Sequence, residues 1–249
     1  KDLGGEFTFG KSVVGIQHNG QRVTAVEAQD RRGGAIEEWP AEQVFSSLPL
    51  PILVKLLQPR APEDVLTAAS QLRFRSFIVV NVILDRREVF RDQWIYVQSP
   101  EVRMGRIQNY KNWSPAMVAD PAKTSLGLEY FCTESDTFWR RNDVDLINFA
   151  VAELEQLGLA SRRHLIDGFV VRCANAYPVY SLTHQQYLLT IRRYLERFSN
   201  LQTLGRGGLF RYDNSDHALL TGIGAARNVL GKGSCDLWAV NTDGAYLET

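Results

Sequence analysis

One stretch constrains this chain more than any other: Gly205-Arg206-Gly207-Gly208-Leu209-Phe210-Arg211-Tyr212-Asp213-Asn214-Ser215-Asp216-His217. Leu201 to Leu204, just before it, reads as a short buried strand. The glycines that follow give the backbone freedom for a tight turn. Asn214 or Ser215 suits a helix N-cap, with Asp216 in the first helical turn. Leu219, Ile223, Ala226 and Leu230 then recur at helical spacing. A helix N-terminus beside a glycine loop presents free N–H groups and a positive dipole end to an anionic or electron-rich ligand. Arg206 stands at the strand exit, where open α/β sheets place their ligands. The same residues also suit a plain helix cap, and the sequence alone leaves both readings open.

The rest of the chain is organised around that unit. Phe7 to Ile16 begins a strand, Asn19-Gly20 is a two-residue hairpin signal, and Val23 to Ala28 returns. Ala35 to Trp39 and Val44 to Leu48 continue a β-meander into a short core strand. Pro49 to Leu57 and Pro62 to Leu72 are predicted as proline-opened helices. Long strands are expected at Arg75 to Leu84 and Thr124 to Phe131, with further strands at Trp94 to Gln98, Arg103 to Tyr110 and Gly168 to Ala174. Asp143 to Leu157 is predicted as an amphipathic helix with Val144, Ile147, Val151 and Leu154 on one face. Thr183-x-x-Gln186 reads as a capping box opening a helix that runs to Phe198. The expected layout is one domain from residues 1–49 and 200–232, an inserted α+β domain over 50–199, and a tail over 233–249. Such a return is expected when a ligand lies between the parts.

Composition excludes several classes. The 28 basic residues balance 28 acidic ones, so there is no bulk attraction to nucleic acid or to an acidic membrane. No apolar run reaches the length of a membrane span. Cys132, Cys173 and Cys235 lie far apart with no zinc spacing, which fits a reducing, cytoplasmic setting and implies no metal. Arginine outnumbers lysine, 22 to 6. Its fork suits phosphate and carboxylate, although base composition together with surface ion pairing is the more ordinary source of such a bias. No Ser-His-Asp order, paired-carboxylate pattern or phosphate loop stands out, so no catalytic residue is assigned.

Taken together, Val44-Phe45-Ser46-Ser47-Leu48-Pro49 and Gly205 to Leu230 resemble the second half of an FAD-dependent flavoprotein of the amine oxidase superfamily. That group includes protoporphyrinogen oxidase, phytoene desaturase and UDP-galactopyranose mutase. The resemblance implies part of an FAD/NAD(P)-binding Rossmann-like domain with an inserted α+β substrate domain, an FAD cofactor and a small-molecule substrate. It implies cofactor contacts from Gly205, Arg206, Asn214, Ser215, Asp216 and His217. Met104-Gly105-Arg106 to Trp113, Gly205-Arg206 with Arg211-Tyr212-Asp213-Asn214, and Ala176-Tyr177-Pro178-Val179-Tyr180 resemble segments of the mutase branch that meet flavin or a nucleotide sugar. On that likeness Arg106, Tyr177 and Tyr212 contact substrate, while Asn109, Lys111 and Trp113 either line the substrate side or form the two faces of a strand. As a general base His217 is set aside in favour of a capping or core histidine, and His184 reads as structural.

The fingerprint Gly-x-Gly-x-x-Gly and the acidic residue that follows it are absent, and the chain begins Lys1-Asp2-Leu3 without Met. The N-terminal ADP-binding βαβ unit is therefore expected to be missing. Three functions follow as expectations: an FAD-dependent oxidoreductase of the amine oxidase type, a mutase-like flavoprotein acting on a nucleotide sugar without net redox change, or a non-catalytic fragment.

Overall fold

A computed structural model describes residues 4–241; the segments 1–3 and 242–249, including the first residues and the end of the tail read above, lie outside the described residues. The chain divides into two compact units. One runs to Arg73 and resumes at Tyr177; the other is Phe74–Ala176. The inserted unit is thus narrower than the expected 50–199. The physical reason lies in what the flanking segments touch. Strand β5 (Leu57–Gln58) pairs in parallel with β1 (Lys11–His18), and helix α2 (Glu63–Gln71) packs on α5 (His184–Leu195), so residues 50–73 and 177–199 stay with the first unit.

In the first unit, β1, β2 (Val23–Asp30) and β3 (Ile36–Pro40) form the expected antiparallel meander, in the order β3-β2-β1-β5. The β1–β2 connection spans four residues, not two. The Asn19 side chain accepts hydrogen bonds from the Gln21 and Arg22 amides, which widens the turn into an Asx-type loop. A second, parallel pair joins β4 (Val44–Ser46) to β11 (Leu201–Thr203), with Val44 opposite Leu201. Buried Asn200 fixes this pair against the meander. Its amide donates to the carbonyls of Val23 and Glu42, and its side-chain oxygen accepts the Val23 N–H at 2.8 Å. Helix α1 (Leu50–Leu56) buries Leu50, Leu53 and Val54. Thr183 precedes α5 as expected but makes no side-chain cap bond. The helix ends at Leu195.

The second unit is a five-stranded antiparallel sheet with the order β10-β6-β9-β8-β7. Its strands are β6 (Arg73–Leu84), β7 (Trp94–Tyr96), β8 (Arg106–Asn109), β9 (Thr124–Cys132) and β10 (Leu165–Val179). Side chains alternate between faces along each strand. One face, carrying Ile78, Val80, Val82, Ile107, Leu126 and Leu128, forms an apolar core with α4 (Asp143–Gln156). Helix α4 buries Leu146, Ala150, Val151 and Leu154, whereas Val144 is two-thirds exposed, so the buried stripe is shifted from the expected one. Asn142 caps this helix by accepting the Asp145 amide at 2.8 Å. The opposite face of the sheet carries the polar and aromatic residues considered below.

Candidate functional site

The strand, turn and helix expected at residues 201–230 are present. After β11 the chain makes a single helical turn, α6 (Gly205–Gly208), then a loop, then α7 (Ser215–Val229). Gly205 takes φ +69°, a left-handed backbone that favours glycine. Its amide is buried and donates to Thr221 Oγ1 at 3.0 Å, which ties the turn to the second turn of α7. Side chains are excluded at Gly208, where a Cβ would stand 2.6 Å from the Ser46 carbonyl oxygen. At Gly205 a Cβ would meet nothing within 4 Å, so open space adjoins the backbone there. Phe210, fully buried, also holds a left-handed φ of +49°. That conformation is rare for a bulky residue and marks a turn fixed by its surroundings.

Asn214 is the N-cap of α7, in a capping box with His217. Its side chain accepts the His217 amide, and the His217 ring accepts the Asn214 N–H at 3.4 Å. His217 is buried with Nδ1 beside the Asp216 carboxylate at 3.2 Å, so its ring serves the cap. Ser215 and Asp216 are exposed, and their main-chain amides have no acceptor among the described residues. The first amides of a helix are orphans by construction, and here two of them belong to exposed residues at the positive dipole end.

Arg206, Tyr177 and Tyr212 come together. The guanidinium lies 4.8 Å from the Tyr177 ring centroid and 5.1 Å from that of Tyr212, and the two rings stack at 5.3 Å. Arg206 is held by the Asp213 carbonyl, which accepts Nε at 2.8 Å and a second bond from Nη2. It is a loop clamp with one face against aromatic rings. Behind it, Tyr180 accepts the Tyr212 amide at 2.7 Å and stacks on His184 at 4.7 Å. Burial pushes the Tyr180 hydroxyl above the ordinary tyrosine range. Asp213 is almost wholly buried. One carboxylate oxygen accepts the Asn241 amide at 3.0 Å; the other, Oδ2, has no partner among the described residues. A buried acceptor without a donor is costly, which marks this loop as a place for an outside donor.

Arg106 belongs to the second unit. It lies opposite Glu129 in the β8–β9 register and donates to Glu129 Oε2 from Nε at 2.9 Å and Nη2 at 2.5 Å. Gln108 donates to the other oxygen of Glu129 at 3.1 Å and accepts Trp113 Nε1 at 2.9 Å. The guanidinium also lies 5.2 Å from the Trp94 ring. Lys111 donates to three main-chain carbonyls, of Arg87, Pro121 and Lys123, and so pins the loop after α3 (Tyr110–Trp113). Asn109 is buried in the strand, and its amide donates to the Phe90 carbonyl.

Sequence reading gave no separate role to Asp213 and Tyr180, though both lie in the segments it singled out, and missed Thr221; all three shape the turn through main-chain bonds. It also missed Glu129, which engages Arg106. A polar residue in an otherwise apolar strand, such as Glu129 between Leu128 and Tyr130, was the available signal.

The residues fit a flavin: exposed helix-head amides, an open glycine and a buried acceptor lie in one loop. FAD is the cofactor that the family and its relatives imply. No curated protein matches the sequence. Among solved structures, a reduced UDP-galactopyranose mutase superposes with a TM-score of 0.76 at 19% identity, covering 94% of this chain and 49% of its own. An Exiguobacterium protein named as a candidate protoporphyrinogen oxidase gives 0.58 at 18%, covering 79% and 42%. A redesigned putrescine oxidase gives 0.59 at 10%, covering 90% and 49%. These likenesses establish a shared fold, and the chain spans about half the length of the structures it resembles. Flavin containing amine oxidoreductase is the family description that matches residues 1–230. The chain belongs to that family.

Proposed function

We propose that this chain forms part of an FAD-dependent oxidoreductase of the amine oxidase type, acting on a small molecule, with the turn from Gly205 to His217 as its flavin contact. The observation that carries the reading is that the amides of the exposed residues Ser215 and Asp216, at the head of α7, have no acceptor among the described residues, with the open glycine in the preceding α6. A bound flavin would supply a hydride acceptor, the hydride leaving a substrate C–H bond as the adjoining C–N or C–C bond becomes double and the neighbouring N–H or C–H gives up its proton. Ser215 and Asp216 would hold the carbonyl edge of the ring. The helix dipole there favours added negative charge without supplying a titratable group. Arg206, Tyr177 and Tyr212 would orient an electron-rich group of the substrate through a cation and two phenols.

The test is a flavin titration of the purified chain followed by visible absorbance. Ser215→Pro removes one amide at a helical position that tolerates proline, after a residue already in extended backbone. The reading expects a saturable spectral change in the parent chain and weaker binding in the variant. No change with added FAD, or equal affinity in the variant, counts against it and leaves a non-catalytic fragment.

A second reading, a mutase-like flavoprotein acting on a nucleotide sugar, is favoured by the Arg206–Tyr177–Tyr212 stack, a grouping suited to phosphate. Binding of UDP that is lost in Arg206→Ala, with a requirement for reductant, supports it. Bleaching of oxidised flavin by substrate supports the oxidoreductase.

A further inference from the structure

We infer that the outer face of the second unit's sheet binds a neutral, largely apolar molecule carrying one hydroxyl, carbonyl or amide group, in a cavity of about 760 Å³. The inference deepens the oxidoreductase reading by naming the class of molecule taken, and rests on that reading only for calling it a substrate.

The cavity lies wholly within this unit. Its walls come from Val79 and Ile83 on β6, from Ile166 and Phe169 on β10, and from Met117 in the loop pinned by Lys111. Phe169 and Met117 are more than half exposed. An apolar concavity of this size is what a drug-sized ligand fills, and a contiguous exposed apolar patch marks a binding surface.

The floor is polar and built. Asn81 is 4% exposed, in the middle of a strand whose neighbours on that face are Val79 and Ile83. It lies opposite Gly127 in the β6–β9 register. Tyr110 lies across Gly127, where a Cβ would come within 2.2 Å of the Tyr110 hydroxyl. The missing side chain therefore lets Tyr110 reach Asn81 Oδ1 at 2.7 Å. With that proton committed, the phenol oxygen accepts. The Asn81 amide makes a single long bond, 3.4 Å to the Val79 carbonyl, and keeps an N–H to donate. A donor beside an acceptor on an apolar floor recognises a hydroxyl or amide, and the donor alone recognises a carbonyl.

Charge excludes the alternative. Lys123 is the cavity's only cation among the described residues, and Asp120 pairs with it at 3.1 Å. Asp167 at the rim adds a negative charge. A diphosphate entering here would gain no unpaired cation and would meet a carboxylate.

Nile red is a neutral, apolar, carbonyl-bearing fluorophore and serves as the probe, titrated into the full chain without FAD. Phe169→Ser and Ile166→Ser remove exposed wall side chains and are compatible with folding. We expect saturable binding in the parent chain, weakened about tenfold or more by either variant. Leu219→Ser with Ile223→Ser, on the exposed face of α7, should leave it unchanged, and UDP should not displace the dye. In the parent protein, Overhauser contacts should run from bound dye to the Val79 and Ile83 methyls. Equal binding in folded Phe169→Ser, loss in the α7 variant, displacement by UDP, or absent methyl contacts each overturns the inference. Because no flavin is present, such a failure stands apart from a failure to bind FAD.

Discussion

Replacing Thr221 with valine should loosen the turn at Gly205 while preserving its shape. Thr221 is fully buried; Oγ1 accepts the Gly205 N–H at 3.0 Å and donates to the Ala218 carbonyl at 2.8 Å. Valine fills nearly the same space and does neither. The Ala218 carbonyl lies within α7 and keeps its helical ladder position, but the buried Gly205 amide loses its acceptor. Leaving such a donor unpaired costs about 1–3 kcal/mol. At about 2 kcal/mol, local opening of the turn rises about 30-fold. Amide hydrogen exchange at Gly205, read by NMR, is the direct assay. Thr221→Ser keeps the hydroxyl and loses one methyl, so it should cost about 1 kcal/mol while Gly205 stays protected. If the Gly205 amide exchanges at the parent rate in the valine variant, the bond contributes nothing and the turn is held by packing alone.

Other perturbations follow from the same contacts. Gly208→Ala sets a Cβ against the Ser46 carbonyl, so a loss of about 1–3 kcal/mol is expected in urea unfolding, and an unchanged midpoint would contradict that packing. Glu129→Ala leaves Arg106 largely buried without its carboxylate and should cost about 3 kcal/mol. Replacing both residues by apolar ones should recover much of that loss, and equal destabilisation of single and double variants would argue against the pair. Burial raises the hydroxyls of Tyr110, Tyr130, Tyr180 and Tyr194 above the ordinary tyrosine value. The folded chain then holds protons that the unfolded chain releases. Stability should be full below about pH 10 and fall as pH rises through the raised values. Ultraviolet titration should show these tyrosines ionising late; simultaneous ionisation of all nine tyrosines would refute the burial argument.

Much of the architecture was readable because alternating and helical periodicities are local. The meander, the long strands β6 and β9, and the strand–turn–helix at 201–230 follow from such patterns. Helix α7 shows where they fail. Leu219, Ile223 and Leu230 repeat at helical spacing, yet all three are exposed, while His217, Thr221, Gly224 and Ala225 are buried. Small residues form that inner face because Cys235 and Leu237 press against Gly224, where a Cβ would stand 2.9 Å from Cys235 Sγ. Hydrophobic periodicity is blind to close packing of small side chains. Val144 on α4 was misplaced for a related reason, since Leu146 and Ala150 share the buried stripe instead.

The site was legible in part. The glycines, the cap at Asn214 and the position of Arg206 at the strand exit were all visible in order along the chain. What Arg206 and Arg106 touch was not. One binds a carbonyl seven residues on, the other a carboxylate brought opposite by strand register 23 residues away. Likewise the partnership of Tyr110, Gly127 and Asn81 exists only once three segments lie side by side.

Nitrogen–proton correlation spectra of the labelled chain during an FAD titration test the flavin contact most directly. The largest saturable shifts should fall on the amides of Gly205, Ser215 and Asp216. Binding of FAD that leaves those three resonances in place and moves others would contradict it.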